Sequence, residues 1–318
     1  MVKVENLKAV QGGKGTEIEY LGSLLWTSIS NGVRIKYQDL EKELAEVGLQ
    51  RMMPRKINPR DAFRRATRNI EVKREANGAG RYINLLVRPV KTDAAEMVRQ
   101  LVREVVDGQN TRLEYKPVVQ FEIKKDGNYA VIPLASDLSL IEQEAMRRLS
   151  SLYDEAVNTY EGDHIRRLVD RILNICSPVS VRPSGGVYFV PEKKAESMRS
   201  LKKLVQALAA YDKGSGTTRA WSIPVIDAQE HREMVEDSLE EQVINGSIAM
   251  IEEMKNLLND PGQGITLSTI KQYTYHIKKM QRLVKEYEEM LDYQATKARE
   301  NLDLAQKLAA KLMEKEDD

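Results

Sequence analysis

The chain has 318 residues, of which 31% are charged, 42% hydrophobic and 6% aromatic, and a formal net charge of +1. That length allows two or three domains with real cores, and the profile is that of a soluble, helix-rich protein. The lone Cys176 excludes an internal disulfide, and neither a signal-peptide core nor a membrane-length apolar run is present, so a cytoplasmic location with no membrane partner is expected.

In chain order, residues 1–18 are polar and Gly-containing and read as a flexible arm. LGSLLWTSIS and KYQDLEKELAEVG both give helical signals; in the second, Leu40, Leu44 and Val47 share a face and Gly48 ends it. Asn58 is placed as an N-cap, with Pro59 at the first helical position and Asp61 in the first turn. The helix that follows, PRDAFRRATRNI, turns Phe63, Ala66 and Ile70 inward. EVKRE and RYINLLVRPV flank the turn signal ANGAG and predict a hairpin. DAAEMVRQLVREVV (93–106) reads as an amphipathic helix. LEYKPVVQFEIKK and NYAVIPL, joined by Asp126-Gly127, predict a second hairpin, and LSLIEQEAMRRLSSLYDEAVNTY predicts another helix.

A weak repeat follows. Asp163 opens DHIRRLVDRILNI with the D-x-x-R-R start of DAFRRATRNI. A hairpin (VSVRPSGGVYFVP, turning at Ser184-Gly185-Gly186), a helix through Met198 and a strand (TRAWSIPVI) come next. Two readings stay open: a duplicated helix–hairpin–helix–strand unit, residues 61–123 and 163–226, or a chance likeness of two amphipathic segments. The expected class is α+β, with the first copy winged-helix-like and a long C-terminal coiled-coil helical hairpin behind it. Boundaries are expected after residues 18, 160 and 226.

The last stretch changes character. A helix near 229–259 leads to a break at Asp260-Pro261-Gly262-Gln263-Gly264. From Ile270 a 3-4 spacing then runs through Tyr273, Ile277, Met280, Val284, Tyr287, Leu291, Gln294, Ala298, Asn301, Ala305, Leu308 and Leu312. Eleven of these thirteen positions are apolar, which predicts one long coiled-coil helix. Past Tyr293 the shorter helix cannot cover the seam, so a partner chain is expected there. Ile270, Tyr273, Ile277, Met280, Val284, Tyr287, Leu291, Leu308 and Leu312 are the candidate contacts of a homo-oligomer.

Charge is segregated although the total is near zero. Residues 51–91 hold twelve Lys/Arg against Asp61, Glu71 and Glu75, whereas residues 229–260 hold nine acids against Arg232 and Lys255. Arg60, Arg64 and Arg68 fall on one helix face with Arg65 beside them, and guanidinium forks suit phosphate oxygens. A helix, a connection, an Arg-bearing helix and a hairpin is also the element order of a winged helix-turn-helix, although the connection here is long. The candidate nucleic-acid contacts are Arg55, Lys56, Arg60, Arg64, Arg65, Arg68, Lys73, Arg74 and Arg81. The competing reading is that this patch docks an acidic protein surface, on a host protein or within an oligomer; the blander one is a solvated face.

No catalytic constellation stands out, and a non-enzymatic protein without cofactor or metal is expected. The three histidines, His164, His231 and His276, lack a metal-ligand spacing, and Cys176 follows an apolar helix as a small buried hydrophobe. Gly12-Gly13-Lys14-Gly15-Thr16 misses the phosphate-loop pattern, and Lys213-Gly214-Ser215-Gly216-Thr217-Thr218 sits in the wrong order for one; both read as linkers. Three stretches, LGSLLWTSIS, INPRDAFRRATR and RPSGGVYFVP, resemble a family of uncharacterised proteins of bacteria, their phages and prophages. The likeness spans roughly residues 21–226 and implies a phage or mobile-element origin but no activity; a nucleic-acid-binding protein of that origin could serve phage DNA metabolism or counter host defence.

Overall fold

A computed structural model describes residues 19–259 and 266–317, apart from Ala79, Pro183 and Ser215. The predicted arm at 1–18, with its Gly-rich phosphate-loop echo, and the break at 260–264 lie outside the described residues. In chain order the strands are β1 (Tyr20–Ser28), β2 (Arg34–Lys36), β3 (Val72–Ala76), β4 (Tyr82–Thr92), β5 (Glu96–Val106), β6 (Arg112–Lys124), β7 (Tyr129–Pro133), β8 (Thr159–Glu161), β9 (Val179–Ser180), β10 (Tyr188–Pro191) and β11 (Arg219–Ile226). The helices are α1 (Tyr37–Glu46), α2 (Pro59–Arg68), α3 (Leu140–Asn158), α4 (Gly162–Leu173), α5 (Ala195–Leu208), α6 (Gln229–Asn259), α7 (Leu267–Leu291) and α8 (Thr296–Asp317).

The chain groups into two compact units that are discontinuous in sequence. One gathers 20–29, Val169–Ala209 and 217–317; the other gathers Ser30–Leu168 and Ala210–Gly216. These do not coincide with contiguous pieces ending at 160 and 226. The reason is that β1 is the second strand of a four-stranded antiparallel sheet, ordered β11-β1-β10-β9, whose other members come late in the chain.

In that unit, α5 buries Leu201, Leu204, Val205 and Leu208, and Lys202 donates to the Ser222 hydroxyl at 2.6 Å on β11. LGSLLWTS is a strand and not the predicted helix. Lying between two neighbours, it is apolar on both faces, and a short apolar run carries no periodicity that separates the two structures. Gly22 is required there: a Cβ would sit 2.2 Å from the Val190 carbonyl oxygen across the sheet. The turn before β10 behaves as predicted, since Gly185 has φ +72 and Gly186 φ +89. Gly185→Val is expected to lower stability by about 1–3 kcal/mol, measured as a shift of the denaturant midpoint; an unchanged midpoint would show that the turn absorbs the side chain.

The C-terminal helices correct the coiled-coil expectation. No single long helix runs from Ile270 to Leu312. The chain leaves α7 through Asp292, which is left-handed at φ +52, and re-enters a helix at Thr296. Three helices of alternating direction then close a bundle. One end joins Val235, Leu239 and Val243 of α6, Val284, Tyr287 and Leu291 of α7, and Ala298 and Leu302 of α8 to Leu21, Phe189 and Val225 of the sheet. The other end joins Met250, Ile251 and Met254 to Ile270, Tyr273 and Ile277 and to Ala305, Leu308, Ala309 and Leu312. Met280 packs against both cores as a half-buried residue. The residues assigned to an oligomer are therefore filled by the chain itself. The partner for the bare half of the seam is α6, reached because the turn folds α8 back.

The second unit holds a five-stranded antiparallel meander, β3-β4-β5-β6-β7, and a short β2–β8 pair. Residues 96–106 are a strand, again against the predicted helix. β5 is the central strand, with Leu101 and Val105 buried on one face and Val98 and Val102 on the other, so apolar residues on both sides imitate a helical stripe. This removes the duplication: α5 occupies the place in the second segment that β5 occupies in the first, and the strand orders differ. The winged helix-turn-helix is overturned as well. α2 packs against α3 and the sheet rather than on α1, and the β3–β4 hairpin continues into the meander. Its core is anchored by Phe63 (α2), Tyr129 (β7) and Tyr153 (α3), whose ring centroids lie 5.1–5.7 Å apart.

Candidate nucleic-acid interface

The basic helix forms as its sequence dictates. The Asn58 side chain accepts the Arg60 amide at 2.9 Å, Pro59 opens the first turn, and Ala62, Phe63, Ala66 and Thr67 are buried. The arginines then divide. Arg60 donates to the carbonyls of Asp93 (2.7 Å) and Ala94 (2.9 Å), fastening the helix start to the β4–β5 turn. Arg65 donates to the Ala156 carbonyl and lies 3.1 Å from Glu161, tying α2 to the end of α3. Both are structural, with donors turned inward. Arg64 and Arg68 remain exposed, and Arg64 has only Asp61 one turn back, at 3.4 Å.

Upstream, Arg55 and Lys56 are exposed, and Lys56 lies 5.8 Å from the Tyr37 ring centroid. Downstream, Lys73 and Arg81 are exposed on the hairpin. Arg74 sits at a bulge with φ +56; its guanidinium reaches Asn110 Oδ1 at 2.7 Å and covers the Tyr82 ring at 4.4 Å.

The sheet has two chemically different faces, and the basic run is split between their surroundings. Arg99, Leu101 and Arg103 of β5 face the helices. Arg99 donates to the Arg64 carbonyl at 2.9 Å and to the Thr67 hydroxyl, and Arg103 grips Glu142 of α3. Burial depresses the Arg99 guanidinium; Glu71 opposes this, and the neighbouring charges of Arg64 and Arg68 add to it. That crowding marks the α2 side as cationic. Beside it, a polar cleft of about 300 Å³ is lined by Arg34, Arg65, Arg68, Asn69, Glu155 and Glu161.

The opposite face carries Asn84, Gln100 and Glu104. Asn84 donates to Glu104 at 2.9 Å, and Arg112 Nε donates to it at 2.8 Å while stacking on Tyr115 at 4.6 Å. The Asn84 hydrogen bond, with Arg112 behind it, holds the Glu104 carboxyl below its usual value against the effect of burial. Arg112 and Tyr115 were missed in the sequence. They lie outside the dense basic run, and only the strand register places them beside Arg74 and Tyr82.

The remaining candidates are accounted for locally. Cys176 is fully buried, and burial pushes its thiol up to about 11, so it is protonated at neutral pH. His164 Nδ1 accepts the Glu161 amide at 3.2 Å, His231 Nδ1 lies 2.8 Å from the Ile226 carbonyl, and His276 is exposed on α7. Lys213-Gly214 is drawn against Gly32 and Val33, with the Lys213 amide donating to the Gly32 carbonyl at 3.1 Å. Among the described residues no group of three or more His, Cys, Asp or Glu side chains converges to hold a metal ion, and no helix is long and apolar enough to cross a membrane.

Compared with known proteins, the chain matches no curated sequence and no solved structure. A family model does match it over nearly its whole length, residues 20–318. The chain thus belongs to DUF6744, a family of unknown function.

Proposed function

We propose that this is a non-enzymatic nucleic-acid-binding protein whose Ser30–Leu168 unit contacts phosphates. The observation that carries the reading is the set of exposed cations Arg55, Lys56, Arg64, Arg68, Lys73 and Arg81, for which Asp61 is the one ion-pair partner among the described residues. Unpaired surface guanidiniums and ammoniums keep their charge for a polyanion, and they do so without a cost in buried charge. A phage or mobile-element origin belongs to the same proposal and rests on the sequence resemblance.

A salt titration tests it. Arg64→Ala and Arg68→Ala leave Phe63, Ala66 and Ile70 in place, and alanine favours the helix. Each lost phosphate contact should lower the slope of log K against log salt by about 0.7–0.9, with similar losses for unrelated sequences. Affinity that does not change with salt would defeat the reading.

A second reading is an interaction module that docks an acidic protein surface. It is favoured by Trp221 and Ile223, which are 54% and 53% exposed on β11 at the sheet edge opposite Trp26 and Leu24. Under that reading the Arg64/Arg68 variant loses a protein partner, and nucleic acid binds neither form.

A further inference from the structure

We infer that the face of the β3–β7 sheet turned away from α2 and α3 binds single-stranded nucleic acid, with bases stacked on the Arg74–Tyr82 and Arg112–Tyr115 pairs. This rests on the nucleic-acid reading for its ligand class, but its contacts are different residues on a different face.

The strand register brings the two pairs together. Tyr82 lies across from Val106 and, through β5, from Arg112; Tyr115 lies across from Glu104, which itself faces Asn84. Tyr82 and Tyr115 are thus two strands apart and two residues along. With strands ~4.8 Å apart and a rise of ~3.4 Å per residue, their Cα positions stand roughly 12 Å from each other. That span covers about three to four nucleotides at the ~3.4 Å spacing of stacked bases, and fewer on an extended strand.

The chemistry at each ring suits a base more than a protein side chain. Each guanidinium carbon sits over its tyrosine ring, 4.4–4.6 Å from the centroid, and aromatic rings and guanidiniums are both surfaces on which a base can stack. Tyr115 remains 44% exposed and Arg112 61% exposed. Charge supports the same ligand. Arg74 is bonded to the neutral Asn110 and keeps its charge, and Arg88 and Arg112 lie around the buried Glu104 carboxylate. Arg74, Arg88 and Arg112 outnumber the Glu104 and Glu122 carboxylates that the register puts on this face, which leaves a cationic surface for the backbone. A duplex hides its base faces and cannot use the tyrosines, so the arrangement selects single strands.

The test compares a fluorescently labelled oligothymidylate with a duplex of equal length, using the full chain. The expected result is tighter binding of the single strand. Tyr82→Ala and Tyr115→Ala should each weaken it by roughly 5- to 100-fold, leave duplex binding nearly unchanged, and be rescued by Tyr→Phe. Melting temperatures confirm that each variant is folded, and the Phe variants keep the test valid if an Ala variant is not. Folded Ala variants that bind the single strand like the wild type would overturn the inference, as would Phe variants without rescue. If those variants are silent while Arg64→Ala with Arg68→Ala abolishes binding, stacking fails and the phosphate reading stands. If the wild type binds neither probe, both fall.

Discussion

Glu142→Ala is expected to destabilise the Ser30–Leu168 unit by about 3–5 kcal/mol, a large part of a typical folding free energy. Glu142 is fully buried, and Arg103 is 11% exposed and meets it through two bonds of 2.7 Å. The same carboxylate accepts the Ser139 amide at 2.7 Å, completing the N-terminal cap of α3. Alanine therefore removes the one fully buried carboxylate from the Arg103 guanidinium, leaving it the exposed Asp137 at 3.2 Å, and uncaps a helix together. Burial acts to raise the Glu142 carboxyl, but the bonds from Arg103 and Ser139 outweigh it and leave it below the usual 4.5. The contribution is whole above 4.5 and is lost as pH falls through the lower folded value, so the variant should have a flatter acid limb. Both tryptophans, Trp26 and Trp221, belong to the other unit. A transition in far-ultraviolet dichroism that precedes the change in tryptophan emission is the expected signature. Coincident wild-type transitions would show that the pair contributes little.

Ending the chain at Gln294 is expected to abolish cooperative unfolding of the unit that holds the tryptophans. The truncation removes Leu302, Leu308 and Leu312 and uncovers the residues they pack on. At about 1.5–3 kcal/mol for each buried leucine, three of them already rival the ~5–15 kcal/mol stability of a domain. The turn itself is stapled: Glu288 accepts the Ala295 amide at 3.0 Å and the Arg299 Nε at 2.7 Å. Leu302→Ala, at about 2–5 kcal/mol, reads the same packing in the full-length chain. An arm that served only a second chain would behave otherwise, because its loss would change mass and leave the tryptophan transition in place.

What the sequence made legible follows from physical type. Local signals survived: the Asn58-Pro59 start of α2, the Asp126-Gly127 turn and the glycine turn before β10 all act within a few residues. Central strands did not, since β1 and β5 bury both faces and so lose the alternation that marks a strand. The α7–α8 break was masked because the four-residue turn keeps nearly the same phase. Its trace is visible at Gln294 and Asn301, the two polar seam positions: Gln294 is exposed in the turn, and Leu302 takes the buried place that the heptad gave to Asn301. At the candidate site, the density of arginines was readable but their allegiance was not. Arg60 and Arg65 differ from Arg64 and Arg68 only in which carbonyls the fold brings near them.

The insertion of one unit between β1 and the rest of the other has a kinetic meaning. β1 emerges before the intervening unit, while β11, with which it pairs from Tyr20 to Ser28, emerges only after that unit is complete. Until β10 and then β11 emerge, its apolar faces have no strand to pair with. Closing so long a loop as free chain costs entropy that grows with its length, by about 0.6 kcal/mol per doubling. A folded insert replaces that loop with two short tethers. The Ser30–Leu168 unit is therefore expected to fold early as a foldon, and damage to it is expected to slow formation of a sheet that contains none of its residues.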